Sequence, residues 1–335
     1  MLTSGGIIPV LIISGFLGSG KTTLIRHLLG DPRLGEVAVI VNEFGEVGID
    51  HHLVRKTDER TTLLRNGCIC CTMRDDLADA LRDLLGRRDR GELPDLARVV
   101  IETTGLADPV PILQTILSEP VIRNHFRIER VVATIDAVGG AVNLATYGEA
   151  VRQVAAADDI VVTKQDLAPP ASSLALKMLL GRVNPTASLV DASFGRLDAA
   201  ALLATQSRPI PTSGAEGFAA DFPLPPTIHA AAGRVATRCL LFDRPLNWQM
   251  FAVWLTMLLH RHGNHVLRLK GLLNVGPERG PLLLEGIQHV MHAPRHLADW
   301  PDADRRSRLV FIVRDLDLAV IERSLTTFQE IARDG

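Results

Sequence analysis

Gly15-Phe-Leu-Gly-Ser-Gly20-Lys21-Thr22-Thr23 fits the pattern G-x-x-x-x-G-K-T and decides the fold. An apolar run over 7–14 leads into it and the helical pattern TLIRHLL follows, so the segment reads as a strand, a phosphate-binding loop and the start of a helix. Glycines let successive backbone N–H groups turn toward one anion, and the helix N-terminus adds partial positive charge. Gly15, Gly18, Ser19, Gly20 and Thr23 are therefore candidate phosphate contacts. Lys21 is expected on the β and γ phosphates and the Thr22 hydroxyl on Mg²⁺.

Working outward, strand-like apolar runs recur at 36–41, 98–102, 130–135 and 159–163. Several are continuously apolar, as in strands buried on both faces, and helical or polar stretches separate them. The pattern predicts an α/β domain of the P-loop NTPase type, a mostly parallel sheet with helices on both faces, over 1–204. Residues 205–232 are rich in Pro, Ala, Ser and Gly, lack periodicity and read as a linker. Residues 233–335 read as a small α+β domain: strands in TRCLLFDRPLN, HVLRLKGLLNV, PLLLEGIQHVMH and RLVFIVRD, a helix ending at Gly263, and a final helix near 316–333.

The chain has 335 residues, 47% of them apolar and 22% charged, with a net charge of −2. This composition suits a folded protein and supplies no basic field for nucleic acid. No stretch reaches the roughly 20 apolar residues that a membrane-crossing helix needs. IIPVLIISGFLG has no Lys or Arg before it and runs into the phosphate loop, so it reads as a strand rather than a signal peptide, and the protein is expected in the cytoplasm.

Two further elements follow strands. In Arg98-Val-Val-Ile-Glu102-Thr-Thr-Gly105, Glu102 is the candidate acid for the Mg²⁺ shell, and Gly105 offers its N–H to the γ-phosphate. In Thr163-Lys164-Gln-Asp166, the Asp166 carboxylate can accept two hydrogen bonds from guanine N1–H and its exocyclic amine, which adenine does not offer. That favours GTP over ATP, with the Lys164 stem over the purine.

Cys68, Cys70 and Cys71 lie within four positions, between the phosphate loop and Glu102. Too close to pair comfortably with one another, they read as soft thiolate donors for one transition-metal ion. No second Cys or His pair completes a closed structural site, so the site is expected to be open and exchangeable. Glu46, His51 or His52 are possible added donors. His289, His292 and His296 would align on a helix, but the segment reads as a strand, where they do not converge.

Together GFLGSGKTT, VNEFGEVGID, GCICC, ETTGLADP, TKQD, RLKGLLNV and RLVFIVRDLD resemble the CobW family, whose relatives UreG and HypB are metal-insertion GTPases. The resemblance spans nearly the whole chain. It implies a slow GTPase with a SIMIBI-type P-loop domain, a CobW C-terminal domain, and Zn²⁺ or Co²⁺ bound at Cys68, Cys70 and Cys71. It implies further that Asp50 belongs to a switch segment between the phosphate and metal sites, with Lys21, Asp50 and Glu102 as the catalytic set. Partners implied are GTP or GDP, a client metalloprotein and a nucleotide-dependent homodimer. Members serve zinc homeostasis, cobalamin biosynthesis or nitrile hydratase maturation. Thr163 stands where many GTPases carry Asn, and Val41 where some relatives carry a glutamate proposed as a metal ligand.

Overall fold

The computed structural model describes residues 6–41, 74–194, 196–198, 202, 224–276 and 280–334. The chain separates into two compact units, one of residues 1–141, 157–176 and 188–206, the other of 142–156, 177–187 and 207–335.

The first unit is built on strands β1 (Ile8–Gly15), β2 (Val37–Val41), β3 (Arg98–Glu102), β4 (Phe126–Asp136), β5 (Asp159–Thr163) and β6 (Ser188–Asp191). All pairings are parallel, in the order β2-β3-β1-β4-β5-β6. Val10, Leu11, Ile12 and Ile13 of β1 are all buried, because side chains on both faces of a covered central strand leave water. The helices between strands follow the expected alternation: α1 (Lys21–Leu29), α2 (Arg74–Asp89), α3 (Val110–Ser118), α4 (Pro120–His125), α5 (Gly140–Thr146), α6 (Gly148–Ala156) and α7 (Pro170–Val183); α6, most of α5 and the second half of α7 are assigned to the second unit. One strand has no counterpart in the sequence reading: β6, SLVD, has only two apolar residues and leans on the edge of the sheet.

Sheet order places the site. In the parallel register Glu102 lies opposite Ile13, and Thr163 opposite Asp136. The carboxyl ends of β1, β3, β4 and β5 thus open on one edge, where ligands bind in such sheets.

The second unit holds β7 (Val235–Phe242), β8 (Val266–Leu273), β9 (Leu282–Ile287), β10 (Val290–Met291), β11 (Arg295–His296) and β12 (Ser307–Arg314). They form an antiparallel sheet in the order β10-β9-β8-β12-β7, with β11 on β9. Alternation along β12 sends Leu309, Phe311 and Val313 into a core with Trp254 and Phe251 of α9 (Trp248–His262) and Ile321 and Leu325 of α10 (Leu318–Asp334). The side chain of Asn247 accepts the Met250 N–H at 3.1 Å and starts α9, and Gly263 ends it.

The expected single strand PLLLEGIQHVMH is a hairpin instead. Gln288, at φ 53°, turns the chain between β9 and β10 without the Asn-Gly signature that marks such turns in sequence. A short helix, α8 (Pro226–Ala232), occupies the end of the stretch read as linker. Among the described residues no helix is long and apolar enough to cross a membrane.

Candidate functional site

The loop after β1 is shaped by its glycines. Gly15, Gly18 and Gly20 sit at φ 140°, 68° and 94°. A Cβ at Gly15 would meet the Thr134 carbonyl oxygen at 2.5 Å and Ser19 Oγ at 2.8 Å, so side chains are excluded there by contact as well as by conformation. Beneath the loop runs a buried hydroxyl chain: Ser19 Oγ lies 2.6 Å from Thr134 Oγ1, and Thr103 Oγ1 donates to Ser14 Oγ at 3.1 Å. Thr163 donates through Oγ1 to the Ser19 carbonyl at 2.7 Å and to Ile135 O at 3.2 Å. At the position where many GTPases carry Asn, its hydroxyl therefore ties β5 to the phosphate loop.

Lys21 folds back over the loop, its Nζ donating to Gly15 O at 2.9 Å and Phe16 O at 3.2 Å. Burial pushes the ammonium below its ordinary value, and the Glu102 carboxylate partly offsets that. A cation held this way is preorganised for phosphate oxygens, which offer charge where the carbonyls offer only dipoles. Thr22 Oγ1 donates to Glu102 Oε1 at 2.8 Å, joining the first turn of α1 to the end of β3. Hydroxyl and carboxylate are hard oxygen donors, so the pair fits Mg²⁺. Thr23 is exposed on the same turn. Gly105 faces the loop from the other side: a Cβ there would lie 2.8 Å from Leu17 Cα.

At the second part of the edge, Lys164 adopts φ 55° and pairs through Nζ with the Asp136 carboxylate. Burial raises the Asp136 acid, but the Lys164 hydrogen bond and the N–H groups of Val138 and Gly139 outweigh it and hold the carboxyl below its usual range. Asp166, in the 3₁₀ turn Gln165–Leu167, is exposed and accepts the Phe194 N–H at 2.9 Å.

The structure therefore brings together Gly15, Gly18, Ser19, Gly20, Lys21, Thr22, Glu102 and Gly105, with Thr163, Lys164 and Asp166 on the same strand ends. Asp50, Cys68, Cys70 and Cys71, with Glu46, His51 and His52, lie outside the described residues. Sequence reasoning missed Ser14, Thr103, Thr134, Asp136 and Phe194. Asp136 alone carried a signal, as an acid ending an apolar strand.

Cys239 is buried, and burial pushes its thiol up to about 11, so it serves the core with Leu272 and Val310. His289 sits at the β9–β10 turn, His292 follows β10, and His296 Nδ1 lies 2.8 Å from Gly280 O. Among the described residues no three His, Cys, Asp or Glu side chains cluster as a metal site.

A six-stranded parallel sheet, a glycine-shaped loop with its lysine, and a Thr–Glu pair at the strand ends define a P-loop nucleotide-binding protein. Comparison narrows this. The model for the CobW/HypB/UreG nucleotide-binding domain matches residues 9–191, and that for the C-terminal domain of the cobalamin synthesis protein CobW matches 235–329. The chain belongs to the CobW family. It is 34% identical over 311 residues to the zinc chaperone YjiA of Escherichia coli K12, a match covering 91% of this chain and 93% of that one. It is 30% identical over 362 residues to the zinc chaperone CobW of Pseudomonas aeruginosa, with 96% and 91% covered. The crystal structure of Zn(II)-bound YjiA GTPase from E. coli superposes with a TM-score of 0.73 at 32% identity, covering 96% of this chain and 99% of that chain.

Proposed function

We propose that this protein is a GTP-dependent metallochaperone that carries Zn²⁺ or Co²⁺ and delivers it to a client metalloprotein. The observation that carries the nucleotide half is the Thr22–Glu102 contact at 2.8 Å beside a buried Lys21. The relatives named as zinc chaperones support the cargo half, and zinc is the ion favoured over cobalt by the usual affinity order.

In this reading the loop amides from Gly15 to Thr23 cradle the phosphates, and Lys21 leaves the loop carbonyls for the β and γ oxygens. Thr22 and Glu102 hold Mg²⁺, which supplies charge neutralisation at those oxygens when bound. Gly105 donates its N–H to the γ-phosphate. Asp166 reads the guanine edge, with Lys164 held beside it by Asp136. The Asn42 to Asp50 segment, ordered by the γ-phosphate, brings the thiolates of Cys68, Cys70 and Cys71 into binding geometry; hydrolysis loosens it and frees the ion. Hydrolysis is slow without the client, the site is cytoplasmic, and two copies associate in the triphosphate state.

Competition with labelled GTP tests the base half. Wild type should be displaced by GTP at least about tenfold more readily than by ATP, since a site built to pair the guanine edge leaves its acceptor unpaired on adenine. Asp166→Asn should lose that preference and gain affinity for xanthosine triphosphate. Equal displacement of wild type by both nucleotides would count against a guanine-reading site.

A further inference from the structure

Beside the base-reading carboxylate the chain makes an unfavourable choice. Ser193 and Arg196 close a tight turn by reciprocal backbone hydrogen bonds, 3.1 and 2.9 Å, with Phe194 inside it at φ 52°. A bulky residue in the left-handed region is uncommon, and turns of this kind favour Gly, Asn or Asp. Such strain persists where a function needs the side chain. Phe194 is also 80% exposed, so core packing does not hold it there.

Its position explains the choice. The Phe194 N–H lies 2.9 Å from Asp166 Oδ1. Its Cβ, two bonds further on, is thus within about 5.5 Å of the oxygen from which guanine N–H groups would sit roughly 3 Å. The turn is further anchored by Gln165 Nε2 donating to Asp191 Oδ1 at 3.0 Å, and by Ser173 Oγ donating to Gln165 Oε1 at 2.5 Å. Two more exposed apolar residues lie close in sequence to the polar base-site groups: Leu167 directly after Asp166, and Val138 two positions after Asp136.

We infer that Phe194 is a nucleobase-binding residue: its N–H fixes the Asp166 carboxylate and its ring covers one face of the bound guanine, opposite the Lys164 stem. The inference rests on the guanine-reading site proposed above. One Asp166 oxygen has lone pairs for both the Phe194 N–H and a guanine N–H, so the anchor and the base do not compete.

Phe194→Asn keeps the N–H and suits the left-handed turn better than Phe, while removing the ring. Titration of the full chain with GDP should show a roughly tenfold weaker affinity, the size of a lost base–aromatic stack, with displacement by inorganic triphosphate unchanged. Phe194→Tyr should restore the wild-type value. Wild-type affinity in Phe194→Asn, an equal loss for GDP and inorganic triphosphate, or no rescue by Tyr would each overturn the inference. If wild type itself fails to prefer GTP over ATP, the guanine reading falls, and the ring is judged by the same loss and rescue with ADP.

Discussion

Lys21→Met is expected to abolish nucleotide-induced stabilisation and to weaken GTP and GDP binding by at least about 10²-fold, the scale set by losing one charged, preorganised donor to an oxyanion. The fold should survive. Lys21 is 9% exposed and its charge is disfavoured by burial, so Met removes a desolvated cation, which offsets the loss of its hydrogen bonds to the Gly15 and Phe16 carbonyls. Thermal unfolding with and without excess Mg²⁺·GDP checks both halves: the apo midpoint should match or exceed wild type, and the ligand shift should vanish. A retained shift would place the phosphates elsewhere.

Glu102→Gln should have the second large effect, on turnover. Gln keeps an oxygen that accepts the Thr22 hydroxyl at the 2.8 Å contact, so the local fold is preserved while the carboxylate charge is lost. That charge favours the protonated form of Lys21, and in the proposed function it would also help hold Mg²⁺ at Thr22. Single-turnover GTP hydrolysis is expected to slow by about 10² to 10³-fold, with half-saturation moved to higher Mg²⁺. Because Glu102 and Lys21 interact, the losses in a Lys21→Met, Glu102→Gln pair should be less than additive. Unchanged hydrolysis would move the metal-supporting acid away from the end of β3.

The fold was legible where sequence periodicity and local chemistry agree. Five of the six parallel strands carry an unbroken run of at least three apolar residues, and the loop after β1 carries both its glycines and its lysine in one local string. β6 escaped because an edge strand of four residues, with Ser and Asp at its ends, buries too little to leave an apolar run. The β9–β10 hairpin escaped because Gln288 takes a backbone conformation for which its side chain gives no cue.

The candidate site divides the same way. Lys21, Thr22, Glu102 and Asp166 belong to short strings that name their chemistry. Thr134 and Phe194 work through contacts across 115 and 28 positions, and nothing local announces them. Thr163 looked like an imperfect base-site residue. Its hydroxyl, bonded to Ser19 O at 2.7 Å, shows that a shorter side chain reaches the loop because β5 runs beside β4 at Asp136.

Nucleotide control of metal affinity is the central claim, and Co²⁺ titration of the reduced protein tests it most directly. With Mg²⁺ and a non-hydrolysable GTP analogue, thiolate charge-transfer and tetrahedral d–d bands should appear at stoichiometric Co²⁺. With GDP the same bands should need at least about tenfold more metal, and both should disappear in Cys70→Ser, Cys71→Ser. Equal affinity in the two nucleotide states would contradict the account, because a nucleotide that does not distinguish the loaded from the empty protein cannot drive release.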